Sequence, residues 1–152
     1  MTPQTDVPPA SAPSDVAPLV HDLAGLLLAR SLVMATAESC TGGLVAAALT
    51  DMPGSSAWFR GGVVAYDNAV KARLLGVPQA VLDRHGAVSQ ETVLAMVRGL
   101  PPLLDVQAGL AVSGIAGPTG GTPDKPVGTV WMAWLAPGGL TSAVFRFPGD
   151  RA

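Results

Sequence analysis

Short apolar runs alternate with amphipathic segments along most of this chain, and that order limits the fold more than any other feature. A first helix over about residues 18–30 is predicted by apolar residues at helical spacing, namely Leu19, Leu23, Leu26 and Leu27. Strand-like and helix-like segments then alternate as far as residue 113, and two further strand-like runs follow. Alternation followed by a closing pair of strands predicts an α/β layered domain with a mixed sheet.

The later elements are predicted from the same periodicities. Strands are predicted at residues 32–37, 61–66, 109–113, 127–136 and 140–147. Helices are predicted at 41–50, at 68–75 (closed by Gly76) and at 78–84. Ser89 is a good N-cap for one more helix, whose apolar face is formed by Val93, Met96, Val97 and Leu100. Between the last two strand-like runs, a tight turn is predicted by Pro137, Gly138 and Gly139.

The composition indicates a single apolar-rich domain that does not bind nucleic acid. A length of 152 residues suits one compact domain. Charged residues make up 13% of the chain, well below the usual share, and a net charge of −2 leaves no basic surface for nucleic acid. Hydrophobic residues reach 49%, which is more apolar surface than one core of this size needs. We therefore expect a homo-oligomer, a dimer or larger.

The leader, the uncharged stretches and the cysteine content bear on the location of the protein. Residues 1–17 are rich in Pro, Ala, Ser and Thr and predict a disordered leader ahead of a domain over 18–152. The leader has no Lys, no Arg and no apolar segment, so it does not read as a signal peptide. Two charge-free stretches, 106–123 and 126–145, contain Gly and Pro breaks and are not predicted to span a membrane. Because Cys40 is the only cysteine, an internal disulfide is excluded, and a cytoplasmic location is expected.

The first cluster of candidate functional residues is 37–43, between a predicted strand and a predicted helix. Loops at the carboxyl edge of an α/β sheet bind ligands, and N–H groups at the start of a helix can hold a phosphate or an oxyanion. Ser39 on this turn is a candidate nucleophile. In the alternative interpretation Ser39 and Thr41 only cap the helix, and Gly42 and Gly43 only allow close packing.

The second cluster is 66–71, at the start of the next predicted helix. If Asn68 caps this helix, Lys71 lies in its first turn, where the helix dipole and partial burial both lower the pKa of the amine. A lysine of lowered pKa can take a proton from a serine hydroxyl, and Tyr66 could hydrogen-bond that hydroxyl or relay its proton. The alternative is a solvated helix lysine beside a half-buried aromatic ring.

The third cluster is the glycine-rich segment 113–128, which follows a predicted strand. It lacks the Gly-Lys-Ser/Thr of a Walker A loop, and Gly114, Gly117 and Gly120 are spaced as GxxGxxG, unlike the dinucleotide fingerprint. Its backbone N–H groups can still cradle an anion, whereas the alternative is an ordinary long connection. No pair of His, Cys or carboxylate residues has metal-ligand spacing, so no metal site is predicted, and we interpret His21 and His85 as structural.

Taken together, the three clusters resemble the CinA-like family, the C-terminal domain of competence/damage-inducible proteins. The resemblance covers the chain from about residue 19 onward and is carried, in this order, by TAESCTGG, PGSSAWF, GVVAYDNAVK, LLGV, HGAVS, SGIAGP, KPVGTVW and GDR. It implies a three-layer α/β/α sandwich, a homo-oligomer, and the activity of a nicotinamide-nucleotide amidohydrolase that uses no metal or other cofactor. Such an enzyme hydrolyses the carboxamide of nicotinamide mononucleotide (NMN) to nicotinic acid mononucleotide and ammonia.

The resemblance also implies roles for individual residues. Ser39 falls on the nucleophile, with Tyr66 and Lys71 as its activating partners. Glu38 beside it is expected to orient the base or the ribose, or to form an ion pair. Substrate-binding positions are expected at Glu38, Thr41, Gly42, Gly43, Asn68, Gly114, Gly117, Thr119 and Gly120. For the substrate phosphate we expect the 114–122 loop, Thr41, and either Arg60 or Lys125.

Two other interpretations stay open at this point. Cys40 could be the nucleophile, since a thiol is intrinsically more reactive, although no His in the clusters lowers its pKa. The domain could instead be a non-catalytic nucleotide-binding or regulatory module of the competence-related type. Members of the family continue past the GDR segment with a final helix, which we do not expect in this chain. We therefore expect part of a sheet face to be exposed here or to be covered by another subunit.

Overall fold

The computed structural model describes residues 16–148 and Arg151, so most of the predicted leader lies outside the described residues. The helices are α1 Ala17–Ala29, α2 Leu44–Thr50, α3 Asn68–Leu75, α4 Gln79–His85, α5 Gln90–Arg98 and α6 Leu100–Leu104, with a 3-10 turn at Ser55–Ala57. The strands are β1 Met34–Glu38, β2 Phe59–Val64, β3 Ala108–Gly114, β4 Thr129–Ala136 and β5 Gly139–Arg146.

The strands form one open mixed sheet in the order β2-β1-β3-β4-β5. Strands β2, β1 and β3 are parallel, whereas β4 is antiparallel to both β3 and β5. Glu38 at the end of β1 lies level with Val64 of β2 and Val112 of β3. The carboxyl ends of three strands therefore share one edge with the start of β4 and the end of β5, where Thr129 pairs with Arg146.

Helices pack on both faces of the sheet, which confirms the three-layer α/β/α architecture. The larger core lies beneath α3–α6, where small strand side chains such as Ala35, Ala37 and Ala111 leave room for the apolar face of α5. Fully buried residues of that face include Val93, Met96 and Val97. Truncating one of these larger side chains to alanine costs about 2–5 kcal/mol. The second core lies beneath α1 and α2 and includes Leu27, Met34, Trp58 and Phe59.

All the predicted elements occur, and the displaced boundaries have local causes. The helix predicted over 41–50 begins only at Leu44, because Gly42 and Gly43 adopt positive φ angles of 59° and 104° and hold the preceding residues in a turn. Leu100 lies in the same core as α5 but starts α6, since Gly99 ends α5. Ser89 caps α5 as predicted, with its hydroxyl accepting the N–H of Thr92 at 3.2 Å.

The prediction that Asn68 caps α3 was wrong. Asn68 is already helical, whereas Asp67 before it has extended backbone angles and accepts the N–H of Ala69 on its carboxylate at 2.7 Å. A short acidic side chain at the extended position satisfies a free N–H at the helix start. The helix ends as predicted, at Gly76 with φ of 65°.

One face of the β4–β5 hairpin is only partly covered within the described residues. Trp131, Ala133 and Leu135 pack into the core beneath α5, so the alternate residues of β4 point to the opposite face. Trp134 on that face is 41% exposed. A groove of about 570 Å³ separates it from Leu23 and Leu27 of α1. None of the helices in the described part of the chain has the length and hydrophobicity that crossing a bilayer requires.

Candidate active site

The three clusters that are distant in sequence meet at one pocket on the carboxyl edge of the sheet. The pocket has a volume of about 240 Å³. It is lined by Ser39, Cys40, Tyr66, Lys71, Ala87, Val88, Ser113, Gly114, Ile115, Ala116, Gly117, Thr119, Gly120 and Arg151. The parallel strands β1, β2 and β3 bring these loops together, because each loop leaves the sheet at the same edge.

Ser39 is the first residue after β1, and its backbone holds it at the pocket floor. Its N–H donates to the carbonyl of Val112 at 2.9 Å, which extends the β1–β3 pairing by one residue. The residue is 7% exposed, and its hydroxyl forms no hydrogen bond to the described residues. Because no fully buried side-chain oxygen in the described part of the chain lacks a partner, this hydroxyl is open to the pocket. A hydroxyl that lines a pocket without a protein partner is available to a ligand.

Glu38 is the anchor of the turn that presents Ser39. Its buried carboxylate accepts the hydroxyl of Thr41 at 2.6 Å and the N–H groups of Gly43, Val45 and Ala46 at 3.1, 3.1 and 2.8 Å. These contacts satisfy N–H groups that the start of α2 leaves without helical partners. Among the described residues Glu38 forms no ion pair, and its oxygens are occupied by the turn and by α2.

The same contacts narrow the choice of oxyanion donors in the turn. The N–H of Gly42 donates to Ser39, that of Gly43 to Glu38, and that of Leu44 to Thr41. The N–H groups of Cys40 and Thr41 have no carbonyl or carboxylate acceptor among the described residues, and they lie beside the Cys40 sulfur. These two groups are therefore the N–H groups of the turn that no oxygen of the described residues occupies.

Lys71 brings a buried amine to the pocket from the first turn of α3. The side chain is 1% exposed, and its Nζ donates to the backbone carbonyl of Tyr66 at 2.9 Å. Burial lowers the pKa of the amine from its ordinary value of 10.5, and the opposing attraction of Asp67 and Cys40 does not cancel that effect. The predicted lowering of the Lys71 pKa thus has burial as its main cause.

Tyr66 meets Lys71 through its main chain rather than through its ring. The residue lies beyond the end of β2 and is 59% exposed, and its phenol has no hydrogen-bond partner among the described residues. Its carbonyl oxygen orients the lysine amine, whereas its ring forms part of the pocket wall. The two parts of this residue therefore have separable roles.

Cys40 lies next to Ser39 in the pocket, but its environment disfavours the thiolate. Burial raises the pKa of the Cys40 thiol above its ordinary value of 9.0, and the Glu38 carboxylate acts in the same direction. The N–H groups of Cys40 and Thr41 and the Lys71 amine oppose this shift without reversing it. Since the nucleophilic form of cysteine is the thiolate, Cys40 is held in its unreactive state near neutral pH.

The glycine-rich segment forms the wall opposite Lys71. Gly114 packs so closely that a Cβ there would lie 2.7 Å from Val130 and 3.1 Å from the Cys40 sulfur. Gly117 has a φ of 79°, and a Cβ there would lie 2.4 Å from the side chain of Val127. Only glycine lets this backbone pass so close to its neighbours. Along the loop, no acceptor among the described residues takes the N–H groups of Ala116, Gly117, Thr119 and Gly120.

The structure brings together some of the predicted site residues and leaves others outside. Those that line the pocket are Ser39, Tyr66, Lys71, Gly114, Gly117, Thr119 and Gly120. Those that do not line it are Glu38, Thr41, Gly42, Gly43 and Asn68. The first four of this second group build the turn beneath Ser39, and Asn68 is exposed at the start of α3.

The two basic residues expected at the substrate phosphate are not among those that line the pocket. Arg60 lies near the start of β2, at the opposite edge of the sheet, with its guanidinium 3.5 Å from the carbonyl of Asp105. The Lys125 amine donates to the carbonyl of His85 at 2.8 Å and ties the glycine-rich segment to the end of α4.

Sequence reasoning missed three contributors to the pocket. Ala87 and Val88 enter it because the buried Ser113 hydroxyl donates to the Ala87 carbonyl at 2.8 Å. Arg151 enters it because β5 returns to the carboxyl edge of the sheet. The sequence signals were the segments HGAVS and GDR, which carried the resemblance but had no chemical role attached to them. In the described part of the chain, no group of three His, Cys, Asp or Glu residues is placed to hold a metal ion.

Fold and site together define an α/β protein with a small-molecule pocket at the carboxyl edge of its sheet, built around a serine and a buried lysine. Residues 16–152 match the CinA C-terminal domain, and the chain belongs to that family. A relative from Pseudomonas putida, named nicotinamide-nucleotide amidohydrolase PncC, is 56% identical over 116 residues, which cover 76% of this chain and 72% of that protein.

Other relatives are much longer than this chain. A CinA-like protein from Akkermansia muciniphila is 48% identical over 145 residues, which are 95% of this chain but 34% of that protein. The chain thus spans about a third of that relative, and it spans 26% of a putative competence-damage inducible protein from Desulforudis audaxviator.

Solved structures of the family have the same fold. The competence/damage inducible protein CihA from Agrobacterium tumefaciens is similar with a TM-score of 0.87 and 40% identity, covering 93% of this chain and 87% of that one. A CinA superfamily protein from Klebsiella pneumoniae is similar with a TM-score of 0.86 and 38% identity, covering 91% of this chain and 86% of that one. These likenesses confirm the α/β fold predicted from the sequence.

Proposed function

We propose that this protein is a nicotinamide-nucleotide amidohydrolase, which cleaves the carboxamide C–N bond of NMN. The observation that carries the proposal is the meeting of Ser39, with a hydroxyl free of described protein partners, and Lys71, with a buried amine of lowered pKa, in one pocket. A nucleophile beside a base with a lowered pKa is the arrangement that acyl transfer requires. The name of the Pseudomonas relative supports the choice of substrate.

In the first half of the reaction the neutral Lys71 amine takes the proton of Ser39, directly or through the Tyr66 phenol. The Ser39 oxygen attacks the carboxamide carbon, and the carbonyl oxygen becomes an oxyanion. The N–H groups of Cys40 and Thr41, which lie beside the Cys40 sulfur and have no carbonyl acceptor among the described residues, hold that oxyanion, a contribution of about 10²–10³ in rate for each donor. The C–N bond then breaks, and the Lys71 ammonium returns the proton to the leaving nitrogen, which departs as ammonia.

In the second half water completes the hydrolysis of the ester on Ser39. The Lys71 amine, neutral again, takes a proton from water as the water oxygen attacks the ester carbonyl. The bond between the acyl carbon and Ser39 breaks, and the proton passes from Lys71 to the serine oxygen. Nicotinic acid mononucleotide leaves, and the protein returns to its starting state with no cofactor consumed.

We also propose that the protein works as a homo-oligomer in the cytoplasm. The partly covered face of the β4–β5 hairpin, with Trp134 41% exposed, supports burial against a second copy. A nucleotide substrate and a single cysteine are in keeping with a reducing, cytoplasmic compartment.

The proposal is tested by incubating the purified protein with NMN and measuring ammonia and nicotinic acid mononucleotide in equal amounts. Ser39→Ala should lower kcat by at least about a thousand-fold, since it removes the nucleophile. Cys40→Ala is the matched control and should keep most of the activity, because the adjacent thiol takes no part. Binding of NMN by the wild-type protein without ammonia would instead identify a non-catalytic nucleotide-binding module, and loss of activity only in Cys40→Ala would make the thiol the nucleophile.

A further inference from the structure

The far end of the glycine-rich segment is hydrogen-bonded to the rest of the protein through one side chain. We call residues 119–125 the tip of this segment, and its first two residues line the proposed active site. Inside the tip, the N–H of Thr122 donates to the Lys125 carbonyl at 2.9 Å, and the N–H of Lys125 donates to the Thr122 hydroxyl at 3.0 Å. Among the described residues, the hydrogen bond that leaves the tip for another element runs from the Lys125 amine to the His85 carbonyl at 2.8 Å.

The carbonyl that accepts the Lys125 amine is suited to a cation. His85 is the last residue of α4, so its carbonyl is one that the helix leaves without a helical partner, at the negative end of the helix dipole. Gly86 follows with a φ of 77°, and a Cβ there would lie 3.7 Å from the Lys125 amine. The amine therefore packs directly against the turn that ends α4.

This turn is itself fixed by two further side chains. The Gly86 carbonyl accepts the Thr92 hydroxyl of α5 at 2.7 Å, and the Ala87 carbonyl accepts the buried Ser113 hydroxyl of β3 at 2.8 Å. Three successive carbonyls are thus held by side chains from three different parts of the fold. Lys125 is the one of the three that ties this fixed turn to the tip.

The tip needs such an attachment because of its composition. It contains Gly120 and Gly121, and glycine loses more conformational freedom on ordering than any other residue. A binding wall that is ordered before the ligand arrives spares the ligand that cost. Lys125 does not line the pocket, so its effect on a ligand passes through the backbone of the tip.

We infer that Lys125 is a positioning residue, which holds the tip against the fixed turn at 85–87 and so keeps this wall of the active site in its binding conformation. For its effect on catalysis the inference rests on the proposed amidohydrolase function. Because Lys125 stands away from Ser39 and from the pocket lining, it contributes to substrate binding more than to the chemical step.

The first experiment measures hydrogen exchange of the Thr122 amide by NMR in the protein without substrate. In Lys125→Met this amide should exchange about 10-fold faster, because a charged hydrogen bond that keeps the tip closed is lost. Lys125→Arg should restore most of the protection, since a guanidinium keeps the charge and can donate to the same carbonyl. Amides of α5 should exchange at the wild-type rate in both variants.

Arg84→Met is the matched control. Arg84 is an exposed cation in the same last turn of α4, so the variant removes a positive charge there and keeps the Lys125 contact. It should leave exchange of the Thr122 amide unchanged. Unchanged exchange in Lys125→Met, or an equal rise in Arg84→Met, would overturn the inference.

The second experiment follows turnover of NMN. In Lys125→Met, KM should rise by about 10-fold while kcat stays within about twofold, since a smaller fraction of the protein has the binding conformation. Lys125→Arg should recover most of the wild-type KM. A fall in kcat at unchanged KM would show that Lys125 only supports folding and would overturn the positioning role. If the wild-type protein releases no ammonia, the proposed function fails, whereas the exchange experiment still decides whether Lys125 holds the tip.

Discussion

Lys71 has an environment that is unusual for a lysine, because its amine is buried. The side chain is 1% exposed, so its charged form is removed from water at a cost in free energy. The pKa of the amine is lowered for that reason. The same burial that lowers the pKa of the amine, and so leaves more of it as the free base at a given pH, makes it unfavourable for stability. Function and stability are therefore opposed at this one side chain.

Lys71→Met should abolish ammonia release and raise the free energy of unfolding by about 1 kcal/mol at neutral pH. The pKa of Lys71 is lower in the folded state than the 10.5 expected in the unfolded state. At a pH between these two pKa values the unfolded chain therefore binds a proton that the folded chain does not. Wild-type stability thus rises with pH through that interval, and the variant has no such contribution. The gain from Lys71→Met should be largest below the folded-state pKa and should disappear as the pH approaches 10.5. Urea unfolding of both proteins at a series of pH values measures this difference in the free energy of unfolding.

Lys125 provides the control for this prediction. It is the other lysine of the chain, and its amine bonds the carbonyl of His85. Lys125→Met should show no stabilisation that fades with rising pH. A stability difference between wild type and Lys71→Met that is the same at every pH would contradict the lowered pKa of the buried amine.

Among the elements, α2 and the turn before it depend on a carboxylate that lies outside the helix. Helix α2 has seven residues, and its N-cap is Gly43, which has no side chain to accept an N–H. Glu38 at the end of β1 supplies the missing acceptor. One strand residue therefore fixes both the start of a helix and the turn that carries Ser39.

Glu38→Ala should lower the free energy of unfolding by about 3 kcal/mol, because several N–H groups lose a charged acceptor. Glu38→Gln should lower it by less, since the amide keeps one accepting oxygen. Urea unfolding followed by circular dichroism measures both changes. Glu91→Gln, the other glutamate of the chain and exposed on α5, should change it by less than about 0.5 kcal/mol. Equal effects of Glu38→Ala and Glu91→Gln would show that the capping is unimportant.

On the scale of the whole molecule, the sheet is covered on one face by α3–α6 and only in part by α1 and α2 on the other. Leu110 of β3 pairs with Trp134 of β4, so the apolar surface continues from the second core onto the open hairpin. A surface of this kind is unusual for a chain that stays monomeric in water.

Trp134→Glu should dissociate the proposed homo-oligomer, because a charge cannot be buried there without a partner. Light scattering after size exclusion should give the wild type a mass of two or more 15.3 kDa chains and the variant the mass of one. Leu74→Glu, at a similarly exposed position on α3, should leave the mass unchanged. A wild-type protein that elutes as a single chain would refute the proposed assembly.

The sequence by itself determined the five strands and every helix except α6 and the 3-10 turn, with several ends displaced. Helical and strand periodicities, the Ser89 cap and the Gly76 stop act between residues that are neighbours along the chain, so they can be read without the fold. The lowered pKa of Lys71 was also expected, although burial and not the helix dipole is its main cause.

Only the tertiary structure decided which of these residues meet. Strand order and direction place Ser39, Lys71, Gly117 and Arg151 at one edge and Arg60 at the other, and periodicity carries no information about strand order. For the same reason Glu38 was expected at the substrate, whereas its carboxylate is occupied by α2, a contact between elements that pattern analysis treats as separate. Local physics sets the conformation of each segment, and burial between distant segments sets the chemistry of the pocket.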